Sequence, residues 1–179
     1  GGFIGSVGLL QKWHLGLVAE AYAYYRTPPE ERAGSEYAAL LNNLQPGPRK
    51  NIPIEFIGVW DTVGALGSPT PILGRLTRSS IGFHDTKLGN DVHHAYHGLA
   101  IDEQRRPFQP DLWTARGQNT KTLQQVWFPG VHSNIGGGYP NQGLAEITLN
   151  WMIHRAQEHR LKFTQFAKDN YVGLTKTQL

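Results

Sequence analysis

Apolar residues recur at steps of three and four through the first quarter of the chain, the spacing of an amphipathic helix. Residues 9–25 carry such a stripe, made of Leu10, Trp13, Leu17, Ala21 and Tyr24. Thr27-Pro28-Pro29 ends this helix, because a residue before proline avoids the α region. A second, shorter helix is predicted over residues 30–43, with Tyr37, Leu40 and Leu41 turned inward.

Further along, the pattern changes to short continuous apolar runs, which predict strands buried on both faces of a parallel sheet. The runs cover residues 52–60 and 122–128. Between them, residues 64–90 predict an irregular loop rich in glycine and proline, and residues 91–102 predict a short helix. A last helix is predicted at 143–160, with an apolar face of Ala145, Leu149, Met152, Ile153 and Ala156. This order of helices and strands predicts an α/β fold, a parallel sheet with flanking helices.

Composition narrows the class of protein. The 179 residues are 39% hydrophobic, too apolar for a disordered chain, and contain no repeat or linker, so we expect a single domain over 1–179. Cysteine is absent, which excludes disulfides, thiolate metal sites and cysteine nucleophiles. The chain begins with glycine and has one methionine, Met152, so we expect a fragment of a longer protein.

The charge pattern indicates no nucleic-acid partner. The formal net charge is only +3, and the densest basic cluster is Arg105-Arg106. No apolar stretch approaches the roughly 20 residues that span a bilayer, and no signal peptide is visible. The localisation therefore stays open between the cytoplasm and export.

Two polar residues directly follow the predicted strands. Asp61 comes after the strand that ends at Trp60, and His132 comes after the strand that ends near Phe128. Functional groups gather past the carboxyl ends of parallel strands, so this carboxylate and this imidazole can meet in space. Such a pair is what an acyl hydrolase needs, because the carboxylate orients an imidazole that takes the nucleophile's proton. The alternative is structural: Asp61 caps its turn, and His132 is an ordinary loop residue.

A nucleophile is missing from the sequence. No G-x-S-x-G elbow occurs, since Ser133 and Ser6 lack glycines at the required positions. An α/β-hydrolase runs serine, then acid, then histidine along the chain, so a chain that offers Asp61 and then His132 predicts such a fold cut just after its serine. The glycine run 136–138 behind His132 permits a sharp turn or the close approach of a substrate.

A metal site is the main rival chemistry. His93 and His97 share one face of the predicted helix at an i,i+4 spacing, so a metal-dependent hydrolase that uses them is conceivable. The H-E-x-x-H pattern is absent. We therefore assign no metal and no organic cofactor, and keep the His93/His97 hydrolase as an alternative.

Four ordered blocks resemble one known family. They are GVWDTVGALG at 58–67, HGLAIDEQRRPF at 97–108, QVWFPGVHSNIGGGY at 125–139 and GLAEITLNWMI at 143–153. Their order and spacing are similar to the α/β-hydrolase family that contains the catalytic domains of type VI secretion phospholipase effectors. The resemblance covers nearly the whole chain.

The resemblance implies a serine esterase of lipid type, phospholipase-like, with the serine elbow just upstream of this chain and the fragment inactive by itself. It implies His132 as the catalytic histidine and favours Asp61 as the acid, with Asp102 as the alternative. The family commonly has aspartate where this chain has Asn134. If that aspartate orients the histidine or tunes its pKa, asparagine alters the activity; if it only shapes the turn, the change has no effect.

The implied partners follow from the same resemblance. They are a lipid or other acyl ester, a membrane surface that presents it, and, for an effector, a secretion machinery or an immunity protein. A non-catalytic binding or toxin-associated module on the same fold is the other alternative.

Overall fold

A computed structural model of the chain describes residues 2–63 and 88–167. Residues 64–87, most of the predicted glycine-rich loop, lie outside the described residues, as do the first residue and residues 168–179. Among the described residues, no helix combines the length and the apolar character needed to cross a bilayer.

Short helices form the N-terminal part. They are α1 (Gly2–Val7), a 3₁₀ helix (Lys12–Leu17), α2 (Val18–Arg26), a 3₁₀ turn (Arg32–Gly34) and α3 (Glu36–Asn42). They pack around three buried residues, Val7, Ala21 and Leu41. The Ser35 side chain caps α3 by accepting a hydrogen bond from the Ala38 N–H at 3.2 Å, which explains why α3 begins where it does.

The prediction of one continuous helix over 9–25 is wrong in its first half. Gly8 has a φ of 87°, and Leu9 forms an antiparallel bridge with Arg49 that keeps this segment extended. The chain then turns as a 3₁₀ helix before α2 starts at Val18. Trp13 is 67% exposed as a result, and does not belong to the buried face that its spacing predicted.

Three parallel strands form the sheet, in the order β1 (Ile54–Trp60), β2 (Val92–Ala100) and β3 (Thr122–Phe128). The sheet confirms the α/β fold, and β1 and β3 confirm the strands predicted at 52–60 and 122–128. Their predicted burial on both faces is wrong, because both lie on the outside of the described sheet and their residues are half-buried or exposed. All three strands run in the same direction, so their carboxyl ends share one edge, which carries Asp61, Ile101 and Pro129 as the next residues. That edge positions the candidate site.

The helix predicted at 91–102 is wrong, because this segment is the central strand β2. Its residues from Ala95 to Ala100 are buried between two neighbouring strands, and that burial outweighs the helical spacing of its histidines. Residues four apart on a strand lie about 13 Å from each other. His93 and His97 therefore cannot hold one metal ion together, and the alternative built on that pair loses its geometric basis.

Three helices follow β3, and the first two pack on the sheet. They are α4 (His132–Ile135), α5 (Gly143–Glu158) and α6 (Gln165–Ala167), and a 3₁₀ turn, Arg106–Phe108, precedes β3. Helix α5 confirms the helix predicted at 143–160 and packs closely on β1, where a Cβ on Gly58 would lie only 2.5 Å from the Met152 sulfur. That the chain is a single domain stays a prediction.

Candidate active site

Asp61 occupies the first position after β1 and is fully buried. Its own N–H donates to the Gly98 carbonyl at 2.7 Å, and its Oδ1 accepts from the Ala100 N–H at 2.8 Å. These bonds tie the residue to the end of β2 in a left-handed conformation, with a φ of 41°. A non-glycine residue in this conformation costs about 1–3 kcal/mol, and such residues concentrate at functional sites.

His132 opens helix α4 just after β3, and its imidazole faces Asp61. His132 Nδ1 lies 2.7 Å from Asp61 Oδ2. Because an ionised carboxylate only accepts, Nδ1 carries the proton and donates it, which leaves the Nε2 lone pair available to take a proton. The imidazole is 30% exposed at the side-chain level, whereas the carboxylate behind it has no exposure. The structure thus brings the two predicted residues together as an oriented acid–imidazole pair.

The turn that carries His132 is built by Gly130 and Asn134. Gly130 has a φ of 111°, which favours glycine. Asn134 Oδ1 accepts a hydrogen bond from the Val131 N–H at 3.0 Å, and the Asn134 N–H returns one to the Val131 carbonyl at 2.8 Å. The Asn134 side chain therefore shapes the turn, and a carboxylate at this position could accept the same bond.

Asp102, the alternative acid, is hydrogen-bonded to the backbone of the same turn. Its Oδ2 accepts from the Gly130 N–H at 2.7 Å, and its own N–H donates to the Gly130 carbonyl at 3.1 Å. The described contacts of this carboxylate are therefore with the backbone of the turn, and the carboxylate bonded to the His132 imidazole is that of Asp61.

Glu103 is a site residue that sequence reasoning missed. Its Oε2 accepts from the His132 backbone N–H at 3.1 Å, and its side chain is 2% exposed. Both of its oxygens accept from Arg105, at 2.9 and 2.7 Å. The side-chain hydrogen bond from Arg105 is the main cause that lowers the pKa of Glu103 to about 2. The run DEQRRPF at 102–108 contains both Glu103 and Arg105. The helix wrongly predicted at 91–102 gave no reason to place this run beside His132.

The aromatic ring of Phe108 lies beside the His132 imidazole. The guanidinium of Arg105 lies 4.0 Å from the centre of the Phe108 ring, and the Phe108 and His132 ring centres are 5.0 Å apart. The turn around Phe108 thus forms an apolar surface next to the group that would move a proton.

His97 contacts the backbone that directly follows Asp61. It is buried, and its Nε2 accepts from the Thr62 N–H at 3.0 Å, directly after Asp61. Burial lowers the pKa of His97, and the side chain of Gln125 and the charge of Asp61 oppose that shift. Because Nε2 accepts this bond, His97 is neutral and acts on the backbone conformation of the Asp61 turn.

One group of side chains in the described residues could hold a metal ion. It consists of Glu55, His94 and His159, at the beginning of β1 and β2 and just past the end of α5. This group lies at the opposite edge of the sheet from Asp61. Among the residues predicted as a metal alternative, His93 contacts Glu55 and His97 contacts Thr62.

Residues 1–155 match the family described as "T6SS, Phospholipase effector Tle1-like, catalytic domain". The uncharacterized protein YEL023C of Saccharomyces cerevisiae is 31% identical over 71 residues, which are 37% of this chain and 10% of the yeast protein. The chain thus matches about a tenth of the length of that curated relative. No solved structure matches the chain.

Proposed function

Because the chain belongs to the family of catalytic domains of Tle1-like type VI secretion phospholipase effectors, we propose that it supplies the acid and the base of a serine hydrolase that cleaves acyl esters of lipids. The observation that carries this proposal is the 2.7 Å hydrogen bond between the buried carboxylate of Asp61 and Nδ1 of His132. The pair lies at the carboxyl edge of a parallel sheet, where hydrolases of this class hold their reacting groups.

The proposed reaction begins with a serine outside these 179 residues, since the sequence contains no G-x-S-x-G elbow. His132 Nε2 accepts the proton of that serine as its oxygen attacks the ester carbonyl. The imidazolium that forms is stabilised by the Asp61 carboxylate, which also holds the ring in the required tautomer. Backbone amides near the serine elbow would bind the oxyanion. His132 then gives its proton to the departing alcohol, and water repeats the sequence to release the acid.

The surroundings of His132 suit an acyl ester. Phe108 contacts the imidazole, and the Arg105 guanidinium lies over the Phe108 ring. We assign residues 105–120 to the wall of the acyl pocket, together with residues 64–90, of which 64–87 lie outside the described residues. The reaction needs no metal and no organic cofactor. A phospholipid in a membrane surface is the proposed substrate, and an immunity protein or a secretion machinery would be partners of an effector.

The decisive experiment uses the full-length protein and phosphatidylethanolamine–phosphatidylglycerol vesicles, with products identified by mass spectrometry. The proposal predicts free fatty acid and lysophospholipid from the wild-type protein, in EDTA as well as in its absence. His132→Ala should lower the rate by at least about 10³-fold, as loss of a catalytic base does. His154→Ala, an exposed histidine on α5, is the matched control and should keep the wild-type rate.

Four outcomes would contradict the proposal. Release of the headgroup alone would show that the acyl ester is not the bond cleaved. Loss of hydrolysis in EDTA, at a temperature where the protein stays folded, would point to a metal-dependent reaction. Hydrolysis by His132→Ala at the wild-type rate would remove the proposed base, and no hydrolysis by the wild-type protein would favour a binding module on the same fold.

A further inference from the structure

Three side chains that the acid–base pair does not use converge where β1 and β2 begin and α5 ends. The metal-binding atoms of Glu55, His94 and His159 all lie within 4.8 Å of one another. Glu55 Oε1 and His94 Nε2 are 3.8 Å apart, and the His94 and His159 ring centres are 3.7 Å apart. We propose that Glu55, His94 and His159 bind a Zn²⁺ ion that fastens the end of α5 to the beginning of the sheet.

Each of the three side chains makes a hydrogen bond to a neighbouring side chain. His94 Nδ1 lies 3.1 Å from the hydroxyl of Thr122, and His159 Nε2 lies 2.8 Å from the hydroxyl of Tyr96. Glu55 Oε2 lies 2.9 Å from His93 Nδ1. In His94 and Glu55 the bonded atom is not the one that faces the other ligand, as is common for metal-binding histidines and carboxylates. This arrangement leaves Nε2 of His94 and Oε1 of Glu55 directed toward each other.

The donor set and the distances suit zinc. Two imidazole nitrogens and one carboxylate oxygen form a common zinc ligand set, and bonds of about 2.0–2.2 Å place tetrahedral donors roughly 3.4 Å apart. The 3.8 Å between Glu55 and His94 requires only a small approach. The two imidazoles stack at an interplanar angle of 26°, so one ring must rotate for both lone pairs to point at the ion. The Glu55 side chain is 58% exposed, and has room to close on it.

The position of the group indicates a structural ion. Glu55 precedes Asp61 by six residues along β1, which is about 20 Å of extended chain. A metal at Glu55 therefore cannot reach an ester bound at His132. It would instead link His159, just after α5, to β1 and β2, whose packing against α5 is already close at Gly58. The inference is independent of the proposed hydrolysis.

Zinc titration of the metal-stripped, full-length protein tests the proposal, by calorimetry and by thermal unfolding. One Zn²⁺ should bind per chain and raise Tm, and Co²⁺ in its place should give the visible absorption of a four-coordinate ion. Glu55→Gln should weaken zinc binding at least tenfold while leaving the metal-free Tm unchanged, since this side chain is exposed. His94→Ala and His159→Ala should weaken it further.

His154→Ala is the matched control, because its Nδ1 bonds the Asn150 carbonyl of its own helix, and it should bind zinc as the wild type does. His132→Ala should also retain the ion, even though it would abolish the proposed hydrolysis. The proposal is overturned if the wild-type protein binds less than one Zn²⁺ per chain, or if Glu55→Gln, His94→Ala and His159→Ala all bind zinc with wild-type affinity.

Discussion

Asp61 and its hydrogen bonds explain how an ionised carboxylate is kept fully buried. A buried charge is costly unless each lone pair finds a donor. Here Ala100 N–H and His132 Nδ1 supply donors to the two carboxylate oxygens, and the backbone bond to Gly98 fixes the left-handed turn. The carboxylate is thus oriented toward the imidazole before any substrate arrives, which is the arrangement that the proposed catalysis requires.

Asn134 leads to the first residue-scale prediction. Its Oδ1 accepts from the Val131 N–H, and an aspartate oxygen can accept the same bond. Asn134→Asp in the full-length protein should therefore keep kcat within about threefold of wild type, whereas Asn134→Leu removes the bond and should lower both kcat and Tm. A tenfold or larger rise in kcat for Asn134→Asp would instead show that a charge at this position acts on His132.

Glu103 gives a prediction for the pH dependence of stability. Its pKa is lowered to about 2 in the folded protein, chiefly by Arg105, from an ordinary value near 4.5. The folded state therefore binds this proton later than the unfolded state as the pH falls. The stabilisation is complete above about pH 4.5, and is lost progressively between there and about pH 2.

Glu103→Gln should accordingly unfold at a lower Tm at pH 6 and approach the wild-type Tm near pH 2.5, as measured by calorimetry across this range. Glu158→Gln removes an exposed ion pair with Arg155 and serves as the control, with a Tm difference from wild type that stays small throughout. Parallel Tm curves for Glu103→Gln and the wild type would refute the role assigned to Glu103.

At the scale of elements, the turn between β3 and α4 sets where the imidazole stands. A Cβ on Gly130 would lie 2.6 Å from the Asn134 Cβ, and the φ of 111° disfavours any other residue. Gly130→Ala should cost about 1–3 kcal/mol of stability and lower kcat, because it displaces the segment that carries His132.

Gly136→Ala is the matched control from the other end of α4. Gly136 has a φ of −86°, and its Cβ would come no closer than 3.7 Å to the His132 carbonyl. Denaturant unfolding and kcat of both variants provide the comparison. Equal, small effects in the two variants would contradict the importance of the Gly130 conformation.

The predictable elements were those whose apolar pattern matches their secondary structure. Strands β1 and β3 read as short apolar runs, and α5 reads as a helical stripe, so the strand ends that carry Asp61 and His132 could be located from sequence. Strand β2 could not, because His93, His94 and His97 interrupt its apolar run at a spacing that suits a helix. The partners that make these histidines tolerable in a strand, Glu55, Thr122 and Thr62, are distant in sequence.

The prediction of β2 as a helix is also the reason that Glu103 could not be recognised as a site residue from sequence. A residue shortly after a helix gives no reason to expect contact with His132, whereas a residue shortly after the central strand lies at the same sheet edge. The bond from the His132 N–H to Glu103 depends on the fold of both turns. Similarly, the sequence suggests metal ligands at His93 and His97 on one helix face, whereas the described side chains that could hold a metal ion join two strands and the end of α5.

For the molecule as a whole, the sheet separates two regions of different chemistry. The carboxyl edge carries the oriented pair of Asp61 and His132 with its supporting turns, and the opposite edge carries the group of Glu55, His94 and His159. The first is proposed to move protons during ester cleavage, and the second to hold the architecture together. The proposed hydrolysis also requires a serine nucleophile, which we place outside these 179 residues.

The central claim is that Asp61 and His132 act as one catalytic unit, and a double-mutant cycle on kcat for a fatty-acyl ester tests it most directly. Asp61→Asn alone should lower kcat by about 10³–10⁴-fold, and His132→Ala by a similar or larger factor. The double variant should be no slower than His132→Ala, because the carboxylate has no role without the imidazole, while Asp102→Asn should retain most of the rate. Losses that multiply in the double variant, or a larger loss from Asp102→Asn than from Asp61→Asn, would contradict the account.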